Sequence, residues 1–369
     1  MRTDEEYLKI KNTTGQLCLT IILPLHSVPA QAEEDGIRFH KIVSEVISEL
    51  DKSNSSSEAE AIKVSLNSLK KEFSKISGAK GIGIYLSKDV KSIIAFPFEV
   101  GEYFMIDKEF QIRELLYRTQ LAVDYFVLSL TMKSAKVFKG NSGNLIEVTG
   151  NHNLKFEDDK EYEHTSIGSS TGYSLKSVEK EKSDTQIIGL KKFYKEVDHF
   201  LNNLISKDSV LIITGTGKEP ALFKSLSSHN SIIIGEIHGN FEHDQAELRV
   251  KSWQLVESYF HAKNNKIINE VGEKVGKGLV ASGLDDVYNS ANEGNGMTLV
   301  LERNYLKTVY LNSSQNYFSD KRESESDTLI NDIGSRVARI VLDKHGKVSF
   351  VEPGMLNKFD GIALIKRYV

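Results

Sequence analysis

Residues 122–150 read AVDYFVLSLTMKSAKVFKGNSGNLIEVTG, and their reading decides the fold. Tyr125–Leu130 is an unbroken run of aromatic and branched side chains, the mark of a buried strand. Met132–Ser134 turns it back into Ala135–Lys139, and Asn141–Asn144 turns that into Leu145–Val148. Strands joined by such short polar turns form an antiparallel meander. The chain then stays polar for about thirty-five residues, Asn151 to Gln186, before the helical spacing of Gly189–Leu204 and the apolar strand Val210–Thr214. A connection of that length is uncommon inside a domain and is usually functional or disordered. Its low hydrophobicity and high charge predict disorder in isolation. A sheet carrying a long loop is therefore expected at the centre, with the loop facing the target.

On the N-terminal side, LCLTIILPL (17–25) reads as a strand stopped by proline. Two helical stripes follow: Ile37, Ile42, Val43, Val46, Ile47 and Leu50, then Ile62, Val64, Leu66, Leu69, Phe73 and Ile76. They are separated by the polar turn 52–58. Strands over Gly81–Leu86 and Ser92–Val100 and a strand–helix segment over Tyr103–Leu116 complete a first domain, 1–122. The meander, loop, helix and βα element 210–226 make a middle domain, 123–230. The remainder, 231–369, reads as a layered third domain. It has a strand at Ile232–Ile237, a long amphipathic helix over Gln245–Val271, a helix–strand pair (Leu284–Glu293, Met297–Leu301), a hairpin around His345–Gly346 and a last strand at Gly361–Arg367. The class is α/β (α+β), each domain a mixed sheet with packed helices.

Forty per cent hydrophobic residues with 27% charged is an ordinary globular composition. A net charge of −4 gives no overall pull toward nucleic acid, so any phosphate contact must be a local patch, and DNA is not expected as a partner. Such a patch is offered by Lys133, Lys136 and Lys139 around one strand and by Lys191 and Lys192, with Lys195, on one helix. A solvated polar face is the plainer reading of the same lysines. The single cysteine, Cys18, excludes a disulfide framework and a cysteine zinc site. The N-terminal residues lack a signal core and no run is long enough to span a bilayer, so a cytoplasmic protein without membrane contact is expected.

Three constellations invite chemistry and fall short of it. Gly215-Thr216-Gly217-Lys218 follows a strand, but a phosphate loop needs an earlier glycine, and Ser or Thr after the lysine; Ile212 and Glu219 stand there. Glu236, His238, His243 and Asp244 lack any zinc-site spacing. Gly168–Gly172 encloses Ser169, Ser170 and Thr171, but a nucleophile elbow needs a rigid strand–turn–helix. No cofactor, metal or catalytic residue is expected.

Taken in order, the segments resemble the archaeo-eukaryotic class-one release factor and Pelota superfamily, and within it the bacterial branch that includes hibernation factors of the Balon type. The resemblance is carried by Leu19–Pro24 with the helical hairpin, by GIGIY (81–85) and IDKEF (106–110), by Asp124–Val148, and by GLDDVYNSANEGNGMTLV (283–300). It implies three domains: a decoding-centre domain, a middle domain whose loop enters the peptidyl transferase centre, and a kink-turn-binding-like C-terminal domain. Two departures matter. Release factors place Gly-Gly-Gln in the middle-domain loop, whereas this loop has one glutamine, Gln186, and no Gly-Gly. Their codon-reading tip carries Asn-Ile-Lys-Ser, whereas here the tip is Asp51, Lys52, Ser53, Asn54, Ser55 and Ser56. The resemblance thus implies a factor that binds the ribosomal A site, meets 16S and 23S rRNA, partners a GTPase such as elongation factor Tu, and releases no peptide. On this reading Asp158, Asp159, Lys160, His164, Ser169, Ser170, Thr171, Tyr173 and Lys176 face the peptidyl transferase centre, and Lys133, Lys136, Lys139, Lys191 and Lys192 meet rRNA. The alternatives are a rescue factor that triggers peptidyl-tRNA hydrolysis or subunit splitting, and an RNA-processing enzyme acting off the ribosome.

Overall fold

The computed structural model describes residues 2–369 apart from 27–31, 54–55, 70–72, 74–78, 122–123, 142–143, 151–153, 157–173, 207–208, 242–243 and 313–316. Its class is α/β, as expected, but its contacts divide it into two units rather than three. Met1–Gln120 and Asn264–Val369 form one unit, and Leu121–Lys263 forms the other.

The first stretch runs α1 (Arg2–Asn12), β1 (Thr14–Pro24), α2 (Ala32–Ser53), α3 (Ser57–Leu69), β2 (Gly81–Leu86), β3 (Lys91–Phe96), β4 (Tyr103–Glu109) and α4 (Arg113–Leu121). Its sheet has the order β3-β2-β1-β4 and is antiparallel at every pairing, not mixed as expected. Leu19, Ile21 and Leu23 alternate onto one face of β1. They meet Phe39, Ile42, Val43, Val46 and Leu50 of α2 and Ile62, Leu66 and Leu69 of α3. Ile37 and Val64, assigned by spacing to these stripes, are instead exposed.

The second unit contains β5 (Tyr125–Leu130), β6 (Ala135–Asn141), β7 (Asn144–Glu147), α5 (Ser174–Asn202), β8 (Val210–Gly215), α6 (Glu219–Leu226), β9 (Ile233–His238) and the first part of α7 (Gln245–Val275). The meander forms as read, with Phe126 opposite Lys139 and Phe138 opposite Glu147. The sheet order is β7-β6-β5-β8-β9, with β8 parallel to both β5 and β9. Because β9 hydrogen-bonds to β8, the boundary expected at residue 230 falls inside one sheet. The right-handed βαβ logic that brings a strand back beside its predecessor explains why β9 belongs here. Side-chain alternation splits the core between two faces. Phe126, Leu128 and Val137 meet Phe193, Tyr194, Val197 and Leu201 of α5. Tyr125, Val127 and Phe138 meet Leu248, Val256 and Phe260 of α7.

Two positions show how tightly the meander is built. A Cβ on Gly140 would fall inside the buried Tyr125 ring, and a Cβ on Gly189 would come within 2.9 Å of the Phe156 ring. Gly140→Ala is therefore expected to lose about 1–3 kcal/mol by overpacking. A shift of the urea midpoint with unchanged slope would register that loss.

The third stretch supplies β10 (Val280–Ser282), α8 (Leu284–Asn292), β11 (Gly296–Glu302), β12 (Val309–Asn312), β13 (Tyr317–Ser319), β14 (Thr328–Ile330), α9 (Ile333–Asp343), β15 (Lys347–Val351) and β16 (Ile362–Lys366). The main sheet has the order β10-β16-β11-β15, and a small separate sheet has β13-β12-β14. The hairpin expected around His345–Gly346 is instead a helix-to-strand turn. Ile333, Val337, Ala338 and Val341 are buried at helical spacing, and the Asp332 carboxylate caps α9 by accepting from the Ser335 amide at 3.1 Å. A helix between β11 and β15 lets those two strands run parallel. Among the described residues, no helix is long and apolar enough to cross a membrane.

Candidate nucleic-acid interface

The long loop is shorter than the sequence suggested. α5 begins at Ser174, not near Gly189, because 174–188 holds neither glycine nor proline and is rich in lysine and glutamate, which favour helix. Gln186, the loop's one glutamine, therefore lies within α5, as does Lys176. Asp158, Asp159, Lys160, His164, Ser169, Ser170, Thr171 and Tyr173 lie outside the described residues.

The chain leading into that segment is firmly seated. Ser134 and Lys155 form a β-bridge, the Ala135 amide donates to Leu154 O at 2.9 Å, and the Phe156 amide donates to Lys133 O at 2.8 Å. The Phe156 ring rests against α5, 6.1 Å from Phe193, in the space that Gly189 leaves open. Tyr194 Oη donates to Thr131 O at 3.2 Å and ties the same turn to α5. Lys133 and Lys155 are thus exposed around the root of the segment 157–173, beside the start of the described α5 surface. Along that helix Lys191, Lys192 and Lys195 are exposed, whereas Phe193, Tyr194 and Val197 are buried.

The five lysines expected to act as one patch are divided by the sheet. Lys136 shares a face of β6 with Phe138 and Lys139 the opposite face, by strand alternation. Lys139 is also neutralised, its Nζ lying 2.7 Å from Asp124 Oδ2 and 5.8 Å from the Phe126 ring. Among the described residues, Lys133, Lys191 and Lys192 have no such partner, and they form a basic rim on the α5 side.

At the other expected tip, the turn between α2 and α3 is tied internally. Asp51 accepts from Lys63 Nζ at 2.5 Å, Lys52 lies 3.5 Å from Glu49, and Ser56 Oγ caps α3 by accepting from the Ala59 amide at 3.1 Å. Ser53 ends α2, and Asn54 and Ser55 lie outside the described residues.

The other constellations are engaged in structural work. The Gly217 amide donates to Glu219 Oε2 at 2.7 Å, so a carboxylate already occupies the donor a phosphate would seek. Glu236 pairs with Lys224, and Asp244 caps α7 by accepting from the Glu247 amide at 2.9 Å. His243 lies outside the described residues.

One cluster escaped the sequence reading. Asp198 of α5 accepts from Ser227 Oγ at 2.5 Å, Ser228 Oγ at 2.8 Å, the Ser228 amide at 3.1 Å and His229 Nδ1 at 2.8 Å. Burial pushes this carboxyl up, but the bonds from Ser227, His229 and Ser228 outweigh it and hold it below the usual carboxylate value. In a nucleophilic triad the serine meets the imidazole nitrogen that the acid leaves open. Here both serines bond to the acid itself, and Ser228 Oγ is 3.5 Å from the nitrogen Asp198 already holds. The cluster ties α5 to the chain after α6. Asp198 lies 29 to 31 residues from its partners, so no local pattern could reveal the cluster.

Residues 124–295 match the model of the bacterial archaeo-eukaryotic release factor family 3. Among solved structures, the chain is similar to an archaeal translation termination factor, aRF1, at 15% identity over 100% of this chain and 97% of that one, with a TM-score of 0.26. It is similar to Pelota from Archaeoglobus fulgidus at 16% identity, covering 78% and 84%, with a TM-score of 0.36. With Dom34 from S. cerevisiae the identity is 14%, the coverage 80% and 74%, and the TM-score 0.43. No curated protein sequence matches. The matched stretch, 124–295, runs across the meander, the lysines of α5 and the helix–strand pair α8–β11, and over it the chain is similar to the bacterial archaeo-eukaryotic release factors of family 3.

Proposed function

We propose that this protein binds the ribosomal A site, covers the decoding and peptidyl transferase centres, and halts translation without releasing peptide, as a hibernation factor does. The observation that carries the reading is the loss of hydrolytic apparatus within a release-factor framework. The stretch 151–186 contains no Gly-Gly, and its one glutamine sits within a helix. Release chemistry needs a flexible glycine pair to present the glutamine to the ester, and a helical backbone does not provide it. The protein is on this account not an enzyme. Its rRNA contacts are with 16S and 23S rRNA, and its protein partner is a translational GTPase such as elongation factor Tu. The direct test is competition with aminoacyl-tRNA on programmed ribosomes. A-site tRNA binding should fall as the protein is added; undiminished tRNA binding at saturating protein would contradict the proposal.

The division of the lysines sharpens a second expectation. Removing Lys133, Lys191 or Lys192 should weaken ribosome binding and flatten its salt dependence by roughly one unit or less per contact, taking duplex DNA as the guide. Lys139→Ala should change the slope least, because Asp124 already balances that charge. Affinities measured across a salt series would expose equal slopes for all four variants, which would return these lysines to an ordinary solvated surface.

A further inference from the structure

Two stretches of chain far apart in sequence, 1–120 and 264–369, share one unit, and the seam between them is built from exchanged charged side chains. From the first stretch, Arg113 of α4 reaches across. Its Nη1 donates to Tyr305 O at 2.6 Å and lies 3.5 Å from Asp332 Oδ2, while Nη2 is held by Glu114 at 2.7 Å. From the third stretch, Arg339 of α9 reaches back. Its Nη2 donates to Phe110 O at 2.8 Å, Nη1 to Lys11 O, and Nε faces Glu109 at 3.2 Å. Arg113, Asp332 and Arg339 are all buried.

A third bond pair lies along the same seam. Gln120 Nε2 donates to Phe350 O at 2.8 Å, and the Phe350 amide donates to Gln120 Oε1 at 2.7 Å. One side-chain amide thereby satisfies both backbone groups of an edge strand, as a neighbouring strand would. Lys11 with Asp343 at 2.9 Å and Arg336 with Glu109 at 3.2 Å close the rim.

We propose that this reciprocal exchange of buried arginines locks the first and third stretches into a single rigid body. Relative motion is the ordinary expectation for two layered domains joined through a modest polar surface. Here separation would strip a buried aspartate of its arginine and leave backbone carbonyls of both stretches without donors, so partly opened states are disfavoured. The lock has a mechanical consequence. A partner that docks on the third stretch carries the tip between α2 and α3 with it, because both belong to one body. The inference stands on the seam alone and does not depend on the ribosomal reading.

Spin labels on Glu45→Cys of α2 and Glu293→Cys just after α8, one exposed site in each stretch, would test it by pulsed dipolar spectroscopy. Cys18 is buried and its thiol is pushed up to about 12 by burial, so it does not compete for the label. A single narrow distance distribution is expected in the otherwise native chain, with loss of that narrow peak in Arg113→Met/Arg339→Met. A broad or multiple distribution in the native chain would overturn the lock. An unchanged narrow peak in the folded double variant would show that the arginines do not make it. Should the double variant fail to fold, Arg339→Lys keeps the charge but cannot span Phe110 O and Glu109 together. Broadening there supports the lock, and a native-like peak there overturns the role given to Arg339.

Discussion

Arg113→Ala should cost about 3–5 kcal/mol, the range for removing one partner of a buried ion pair. The side chain of Arg113 is 5% exposed and that of Asp332 is fully buried. Burial pushes the Asp332 carboxyl up, and Arg113 is the chief charge opposing that shift. Burial would likewise push the arginine down, but Glu114, Asp332 and Tyr103 outweigh it and raise it. With the arginine gone, Asp332 must hold its charge beside Glu114 without compensation. The sign of the pH dependence follows. A carboxyl whose folded pKa is raised binds more protons folded than unfolded, so the deficit of Arg113→Ala should shrink as the pH falls from neutral. Adding Asp332→Asn should recover part of the loss, since the amide can still cap α9 and carries no charge. Urea midpoints of the four proteins at two pH values would measure both effects. Additive losses, with no recovery in the double variant, would mean that the pair is not coupled.

Asp198→Ala is expected to be the second large loss, about 3 kcal/mol at neutral pH. One carboxylate accepts four hydrogen bonds, and charge-assisted bonds contribute about 1.5–3 kcal/mol each before relaxation. Its folded pKa is depressed below the usual carboxylate value. A depressed carboxyl contributes stability that is fully present above its unfolded pKa and is lost as the pH falls through its folded pKa. The gap between native and Asp198→Ala proteins should therefore be constant from neutral pH down to about 4–5 and close below that. Denaturation followed through Trp253, which packs in the same unit, would read it. A gap that widens on acidification would contradict this account of the cluster.

Much of the fold is legible because apolar periodicity reports burial. The run Tyr125–Leu130 and its return strand appear where read, with every residue of β5 buried. The helical spacing of Ile42, Val43, Val46 and Leu50 likewise marks a true core face. Three features were hidden for distinct reasons. The first half of α5 is polar, so its helix-forming residues left no apolar stripe to find. Val337–His345 reads as one arm of a hairpin because its β-branched residues favour strands, whereas burial at 333, 337, 338 and 341 follows the helical period. β9 looked like a new beginning because linear reading cannot tell which sheet a strand joins. The site was less legible than the fold. Lys136 and Lys139 stand three apart on a strand, which alternation alone places on opposite faces. Arg113, Arg339 and Gln120 look like surface residues in a sequence, because burial of a charge depends on a partner distant in the chain.

The proposed function has two halves: the protein occupies the ribosome, and it leaves the peptide in place. Programmed ribosomes carrying labelled peptidyl-tRNA, incubated with the protein and pelleted through sucrose, test both halves together. The protein is expected to pellet with the ribosomes and the peptide to stay on its tRNA at every codon. Released peptide, or protein left in the supernatant, would contradict it.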